Sequence, residues 1–353
     1  MDNVTHTLIG VGLANAFLRR RAGAASVTVL AIASNLPDID VLVHAAGDPA
    51  AVTLRRSFGH SLLLLPFWCF LLALLLRRFH PRSGLKPLFG MALLGASVHV
   101  LFDLVNSFGV LLLWPLSSWR PELAMVFIID LVLFGLVALP LILCIPGRMR
   151  PRLVPWSRVA MLGVVLYLVI CAAGRGLAAR QLDRALAERG TGAAHERAAG
   201  GDPAGFRYVF PEPLGPHRWR GVTRSGDAYA LWLLRPFSGR ARHAGDVPTR
   251  PDEPAVRAAR ASPLGLRLER FFKAPVWEVA ADPGGGSEEG PESGAPAGGR
   301  TTGVCVSDLR FRSIVLARGT AFRFCFRVRG DGTVERAGDG LLARPPATAA
   351  PAR

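Results

Sequence analysis

"SVHVLFDLVNS", residues 97–107, decides how this chain is read. It belongs to the apolar run "KPLFGMALLGASVHVLFDLV" (86–105), which meets the ~20 residues a helix needs to cross a bilayer. His99 and Asp103 stand four residues apart within it, so a helix sets both on one face. Ionisable side chains inside a span are costly, and they mark a functional position with a partner.

Working outward, three more long apolar runs appear: 61–76, 123–145 and 156–174. Two shorter ones precede them, 6–18 and 24–36, which read as short spans or as a hairpin that enters and returns. The N-terminus lacks a basic n-region and does not read as a cleavable signal peptide. The expected fold is a membrane α-helical bundle of about six spans, the first two short, followed by a small β-rich domain. The seam falls near residue 178, giving a transmembrane domain over 1–178, a β-rich extracytoplasmic domain over 179–345 and a loose tail over 346–353. Half the chain is hydrophobic, yet its formal net charge is +16, a pairing that one soluble domain rarely shows.

The basic residues explain themselves through orientation. Alternate loops carry Arg19, Arg20 and Arg21, then Arg77, Arg78, Arg82 and Lys86, then Arg148, Arg150, Arg152 and Arg158. The opposite loops carry Arg55, Arg56 and Arg120. Eleven against three puts the first set in the cytoplasm and everything after ~178 outside it, in a bacterial inner membrane. Nucleic acid is a poor explanation for the charge. "FRFCFRVR" (322–329) alternates Arg with aromatics, but as a strand it reads as half-buried, with Phe322, Phe324 and Phe326 on one face.

On this topology His6, Asp38, Asp40, His60, His99, Asp103 and Asp130 fall in one layer just beneath the outer surface. Imidazole and carboxylate suit a divalent cation, with zinc favoured over manganese or iron. His6, Asp38, His60, His99, Asp103 and Asp130 are the candidate ligands, Asp130 alternatively orienting a ligand. No span places an Arg or Lys at that level, which leaves metal as the expected partner of the buried carboxylates. The Asp38/Asp40 pair follows a helix-breaking Pro37, and in an extended loop both face the site, one free to accept a proton. Asp40 is the candidate proton acceptor and Arg56 a candidate clamp for a phosphate or carboxylate, with headgroup contact the alternative for both Arg55 and Arg56. Asn106 reads as a hydrogen-bond donor or a helix cap.

"MDNVTHTLIG", "NLPDID", "RRSFGHS", "HVLFDLVNSFGVLLLWPLS" and "VSDLRF" resemble the YdjM-like family of bacterial inner-membrane proteins, described as metal-dependent hydrolases. The family's His/Asp pattern falls on His6, Asp38, Asp40, His60, His99 and Asp103. Gly59 stands where the family usually has Thr or a similar residue. A lesser similarity, to the zinc-dependent phospholipase C group, implies a phosphoester substrate. The resemblance also implies that the β-rich domain docks over the mouth of the membrane site, with Asp308 and Arg310 its most suggestive pair.

The function expected is therefore a membrane-embedded metal-dependent hydrolase, with membrane lipids and a lipid or phosphoester substrate as partners. A transporter is disfavoured, because its site sits near the midplane and this polar layer hugs one side. A non-catalytic scaffold stapled by metal stays open, as does the oligomeric state. Stretches 191–204, 238–262 and 281–302 read as loops or disorder. Cys305 and Cys325 are left either as free thiols or as a disulfide, which export permits.

Overall fold

Gly23 makes a hairpin of the first two apolar stretches. In this computed structural model, which describes residues 1–46, 53–189, 206–280, 301–313 and 322–337, helix α1 (Asn3–Leu13) runs through a π turn (Ala14–Leu18) into α2 (Arg19–Ala33). At Gly23 φ is +58°, in the left-handed region that glycine enters without penalty, and the chain turns back. The returning arm packs tightly on α1. A Cβ at Gly10 would lie 2.6 Å from the Leu30 carbonyl oxygen, and Asn35 Nδ2 donates to Thr7 Oγ1 at 2.7 Å. The two stretches thus form an antiparallel helical hairpin, with Arg19, Arg20 and Arg21 near its tip.

Helices α3 (Leu65–Arg77), α4 (Leu85–Leu104), α5 (Leu131–Leu143) and α6 (Leu153–Glu188) complete the helical region. Among the described residues, three apolar helical stretches are long enough to cross a membrane, Asn3–Val43, Leu85–Leu104 and Met149–Glu188, and α3 and α5 are shorter. Small residues bring α2, α3 and α4 together, with Ala33, Ala73, Ala92 and Ala96 fully buried. The opposite faces expose Phe67, Leu71 and Leu75 on α3 and Leu162 and Leu166 on α6, as lipid-facing sides do.

Two span boundaries differ from expectation. The stretch 123–145 is helical only from Leu131, because Asp130 caps the helix there by accepting from the Val132 and Leu133 amides. The preceding residues run back along the end of α4 instead, with Leu123 N bonded to Leu104 O and Met125 N to Val105 O, both at 2.7 Å. At the other end the expected seam at 178 falls inside α6. Its last turns carry Ala178, Leu182 and Ala185 out of the bundle to pack on Val209, Trp219, Trp232 and Leu234.

Those residues belong to the first of two antiparallel sheets, β1 (Arg207–Pro211), β2 (Trp219–Ser225), β3 (Ala228–Arg235) and β4 (Arg240–Pro248) in sequential order. The second sheet joins β5 (Pro275–Ala280), β6 (Thr302–Asp308), β7 (Phe324–Val328) and β8 (Val334–Arg336), also sequentially. Between the sheets lie α7 (Pro254–Ala261) and α8 (Pro263–Phe271), whose Val256, Ala259, Leu268 and Phe271 are buried against the second sheet. The expectation of loop over 238–262 is thus wrong. The strand "RARHAGDVP" is an edge strand with little apolar alternation, and the helices hide in Pro- and Arg-rich sequence. The inserts 191–204 and 281–300 and the tail 346–353 lie outside the described residues.

Cys305 and Cys325 are register partners on β6 and β7 and form a disulfide, while Cys69, Cys144 and Cys171 are buried free thiols. Alkylation of denatured, unreduced protein is expected to label three cysteines and, after reduction, five, counted by mass spectrometry. Five labels in both states would remove the bridge.

Arg310 fastens the two regions together. It is fully buried just after β6, paired with Asp308 at 3.1 Å, and donates to Phe271 O. It also reaches the loop after α4, donating to Ser107 O at 3.2 Å and Phe108 O at 3.3 Å and pairing with Glu122 at 3.1 Å. Asp308 accepts from the Lys273, Ala274 and Arg310 amides. Asp308 and Arg310 thus form a buried clamp between the sheet domain and the α4 loop. Truncating one partner of such a pair costs about 3–5 kcal/mol, against at most about 1 kcal/mol for an exposed pair. Arg310→Ala should therefore lower the thermal midpoint and expose the sheet domain to limited proteolysis. Arg329→Ala, which removes an exposed pair with Glu335, should change neither.

Candidate metal centre

Five chain segments converge at the end of α4. Asp2 caps α1, accepting from the Thr5 amide at 2.9 Å, and this first turn aims the buried His6 inward. After α2, Pro37 starts a 3-10 segment, Leu36–Ala46. Residues two apart on a 3-10 helix lie on different sides. Asp38 and Asp40 accordingly do not face the site together, as an extended loop would have allowed.

Asp40 is fully buried and turned toward residues 57–60. It accepts from the Ser57 amide at 2.7 Å, the Gly59 amide at 2.7 Å and His60 Nδ1 at 2.8 Å. Both its oxygens are taken, so it is not the free carboxylate that the sequence suggested. The same turn explains Gly59: a Cβ there would collide with the Pro37 carbonyl, so a side chain in the family's usual style does not fit this backbone. Arg56 has φ +59°, a left-handed conformation that is uncommon for a residue with a side chain.

Helix α4 presents His99 and Asp103 one turn apart, both 1% exposed. His99 Nδ1 lies 2.6 Å from the Ser34 carbonyl oxygen. A carbonyl only accepts, so Nδ1 carries a proton, and in the neutral ring Nε2 bears a lone pair. His60 Nδ1 likewise donates to the Asp40 carboxylate, so its Nε2 is bare when that ring is neutral. The two Nε2 atoms face each other at 3.1 Å. Asp103 Oδ2 is 3.1 Å from His60 Nε2 and 3.5 Å from His99 Nε2, and Asp38 Oδ2 is 4.0 Å from His99 Nε2. One ligand atom from each of Asp38, His60, His99 and Asp103 falls within 4.8 Å of every other.

The remaining expected residues take other places. His6 stacks on His99 with ring centroids 3.7 Å apart and reaches Asp103 Oδ1 at 3.2 Å, outside the group of four. Asp130 is not brought to the group, because one oxygen caps α5 and the other accepts from the Tyr167 hydroxyl at 2.7 Å. Arg56 is drawn inward. Its Nε and Nη2 fork onto Asp103 at 2.7 and 2.9 Å, and its Nη1 reaches Asn106 Oδ1 at 2.9 Å. The Met1 nitrogen also contacts Asp103 Oδ1. The expectation that no cation reaches this depth is therefore corrected: the cation comes from the loop before α3, not from a span. Arg55 is partly exposed beside Asp38 at 3.3 Å.

Asn106 is both of the things expected of it. Its carbonyl oxygen accepts from the Phe108 amide at 2.8 Å, ending α4, and its amide donates to Asp103 at 3.3 Å. What sequence reading missed are the Ser34 carbonyl and the Ser57 and Gly59 amides. These are backbone groups, and no residue type announces them.

The donor set is two imidazole nitrogens and two carboxylate oxygens, each His oriented from behind by an acceptor, as metal-ligating histidines usually are. Such a set suits a divalent cation. Among known proteins, the uncharacterized protein YfhP of Bacillus subtilis (strain 168) is 28% identical over 141 residues, 38% of this chain and 43% of that one. The chain thus spans less than half the length of that curated relative. No solved structure matches. The family described as YdjM inner membrane protein matches residues 1–178, half the chain, and this stretch holds all the residues that build the centre. The chain belongs to the YdjM inner membrane protein family.

Proposed function

We propose that this protein is a membrane-embedded hydrolase that works with a divalent cation, zinc by preference, held by Asp38, His60, His99 and Asp103. The observation that carries this reading is the convergence of the two Nε2 atoms, 3.1 Å apart, on Asp103 Oδ2, with each ring's Nδ1 held by an acceptor behind it. In two neutral rings the lone pairs repel at that distance, and a proton or a metal cation between them relieves the repulsion. Ligands about 2.1 Å from a tetrahedral ion stand roughly 3.4 Å from one another, close to the 3.1, 3.1 and 3.5 Å among His60, His99 and Asp103, with Asp38 further off at 4.0 Å.

A bound cation would supply Lewis acidity, activating water and polarising the scissile group. The chain's own residues do the rest. Asp40 and the Ser34 carbonyl fix the two histidine tautomers and ring directions. Arg56 neutralises Asp103 and holds it by a bidentate fork, which makes it a positioning residue and replaces the substrate clamp first expected. His6, stacked on His99 and outside the four ligands, is placed to take a proton. The substrate favoured is a phosphoester or lipid-linked ester, since Arg55 stands partly exposed at the same edge.

Purified in detergent, the protein should carry about one divalent ion per chain by elemental analysis. His99→Ala and Asp103→Ala should each lose most of it. Asp40→Asn should weaken metal affinity about 10- to 100-fold, the usual effect of disturbing a residue that orients a ligand. Full metal stoichiometry in both His99→Ala and Asp103→Ala would sink the centre as drawn. Metal retained without hydrolysis of any phospholipid or ester tested would leave a metal-stapled scaffold.

We further place the centre toward the outer face. Arg19 at the hairpin tip and Arg150 before α6 line one cleft, and Arg158 bonds Ala16 O at 2.9 Å, so two of the most basic loops share the end of the bundle away from the centre. Basic loops stay in the cytoplasm. A reporter active only outside the cytoplasm, fused after residue 189, should give signal; activity from a cytoplasm-only reporter there would turn the molecule over.

A further inference from the structure

A cavity of about 740 Å³ opens where α6 leaves the bundle and the first sheet begins. That volume lies within the range of small-molecule sites, about 300–1,000 Å³. Arg120, Arg175, Arg207, Arg270 and Lys273 line it, against two acids, Glu122 and Asp183. Both acids are already engaged, Glu122 by Arg310 at 3.1 Å and Asp183 by Arg207 at 2.8 Å. Among the described residues, no carboxylate pairs with Arg120, Arg175, Arg270 or Lys273. Arg120 donates to the Thr53 and Gly109 carbonyls, and the Nε of Arg175 is buried with no hydrogen-bond partner. Burial, with the neighbouring Arg310 and Arg56, pushes the Arg120 guanidinium down to about 9. Trp119, 58% exposed, stands in the wall, as aromatics do at headgroup level.

The cavity is separate from the four ligands but close in connection. Arg120 and Arg56 both lie over the Phe108 ring, at 5.9 and 4.7 Å from its centre. Arg56 then forks onto Asp103.

We propose that this cavity binds the phosphate group of an anionic ligand, a lipid headgroup or a free phosphorylated molecule, through Arg120, Arg175, Arg270 and Lys273. As a subsite for the substrate it rests on the hydrolase reading; as an anion site it does not. Guanidinium forks match phosphate oxygens, and several cations without carboxylate partners leave the site short of negative charge.

The test is calorimetric titration of the full chain in zwitterionic detergent with short-chain phosphatidate, short-chain phosphatidylcholine and inorganic phosphate. Phosphatidate should bind, and bind more weakly as salt rises. Inorganic phosphate binding equally well would name free phosphate as sufficient, and much weaker binding would name the lipid; either supports the site. Arg175→Gln with Lys273→Gln should weaken phosphatidate about tenfold or more, with metal content unchanged. Arg270→Glu, on an exposed side chain that the fold does not need, should weaken it several-fold and guards against loss through misfolding. Equal binding of phosphatidylcholine and phosphatidate, or unchanged affinity in the folded variants, would overturn the proposal. Metal content is measured on the same samples, so failure of the metal centre and failure of the anion site are read separately.

Discussion

The Asp103 carboxylate sets the terms for the rest of the structure. It is 1% exposed on a helix whose other residues are almost all apolar. A carboxylate left alone at such a position is prohibitively costly, so it must be paired and hydrogen-bonded. Its partners come from α1, the loop before α3, α4 itself and the loop after it. His6, His60, Arg56, His99 and Asn106 each touch it. The helical region is thus held at one end by a single charge that no one element can satisfy, and the Gly23 hairpin, the Gly59 turn and the end of α4 all serve that convergence.

A second buried charge repeats the device a few residues further on. Asn106 closes the network around Asp103, and the next two carbonyls, Ser107 and Phe108, accept from Arg310 of the sheet domain. The loop after α4 is therefore pinned from both sides. Phe108 carries the contact: Arg56 lies over its ring, and Phe271, Phe311 and Phe322 of the sheet domain pack around it. A displacement of the sheet domain must be felt at Asn106, three residues from a ligand. The VSDLRF motif is distant in sequence from the candidate metal centre but contacts the loop that frames it.

Much of this was legible before any coordinates. His99 and Asp103 were readable because an i, i+4 pair in an apolar helix has few innocent explanations. Asp38 and His60 followed from their level in the bundle. Asp130 was misread by the same logic, since depth along a hydropathy profile does not say where a helix begins, and a capping Asp looks like a buried one. Asp40 was misread because carboxylate pairs two apart face together only on an extended chain, and the segment after Pro37 is 3-10. Strand β4 and helices α7 and α8 were invisible to periodicity. Their apolar residues are few, and contacts made far along the chain decide their form.

The argument for metal changes in consequence. From sequence it rested on charge: buried carboxylates and no cation in the spans to meet them. Arg56 removes that argument, because it reaches Asp103 from a loop and neutralises it. What remains is stronger, because it is directional. Charge can be balanced from any side, but a lone pair must be met along its own axis. The Ser34 carbonyl holds a proton on the far side of His99, and Asp40 does the same for His60, so both rings turn Nε2 inward. Arg56 Nε also reaches Asp103 Oδ2, at 2.7 Å, while that oxygen faces both rings. The surrounding residues thus gather two imidazole nitrogens and two carboxylates at one point, an arrangement that could hold a cation.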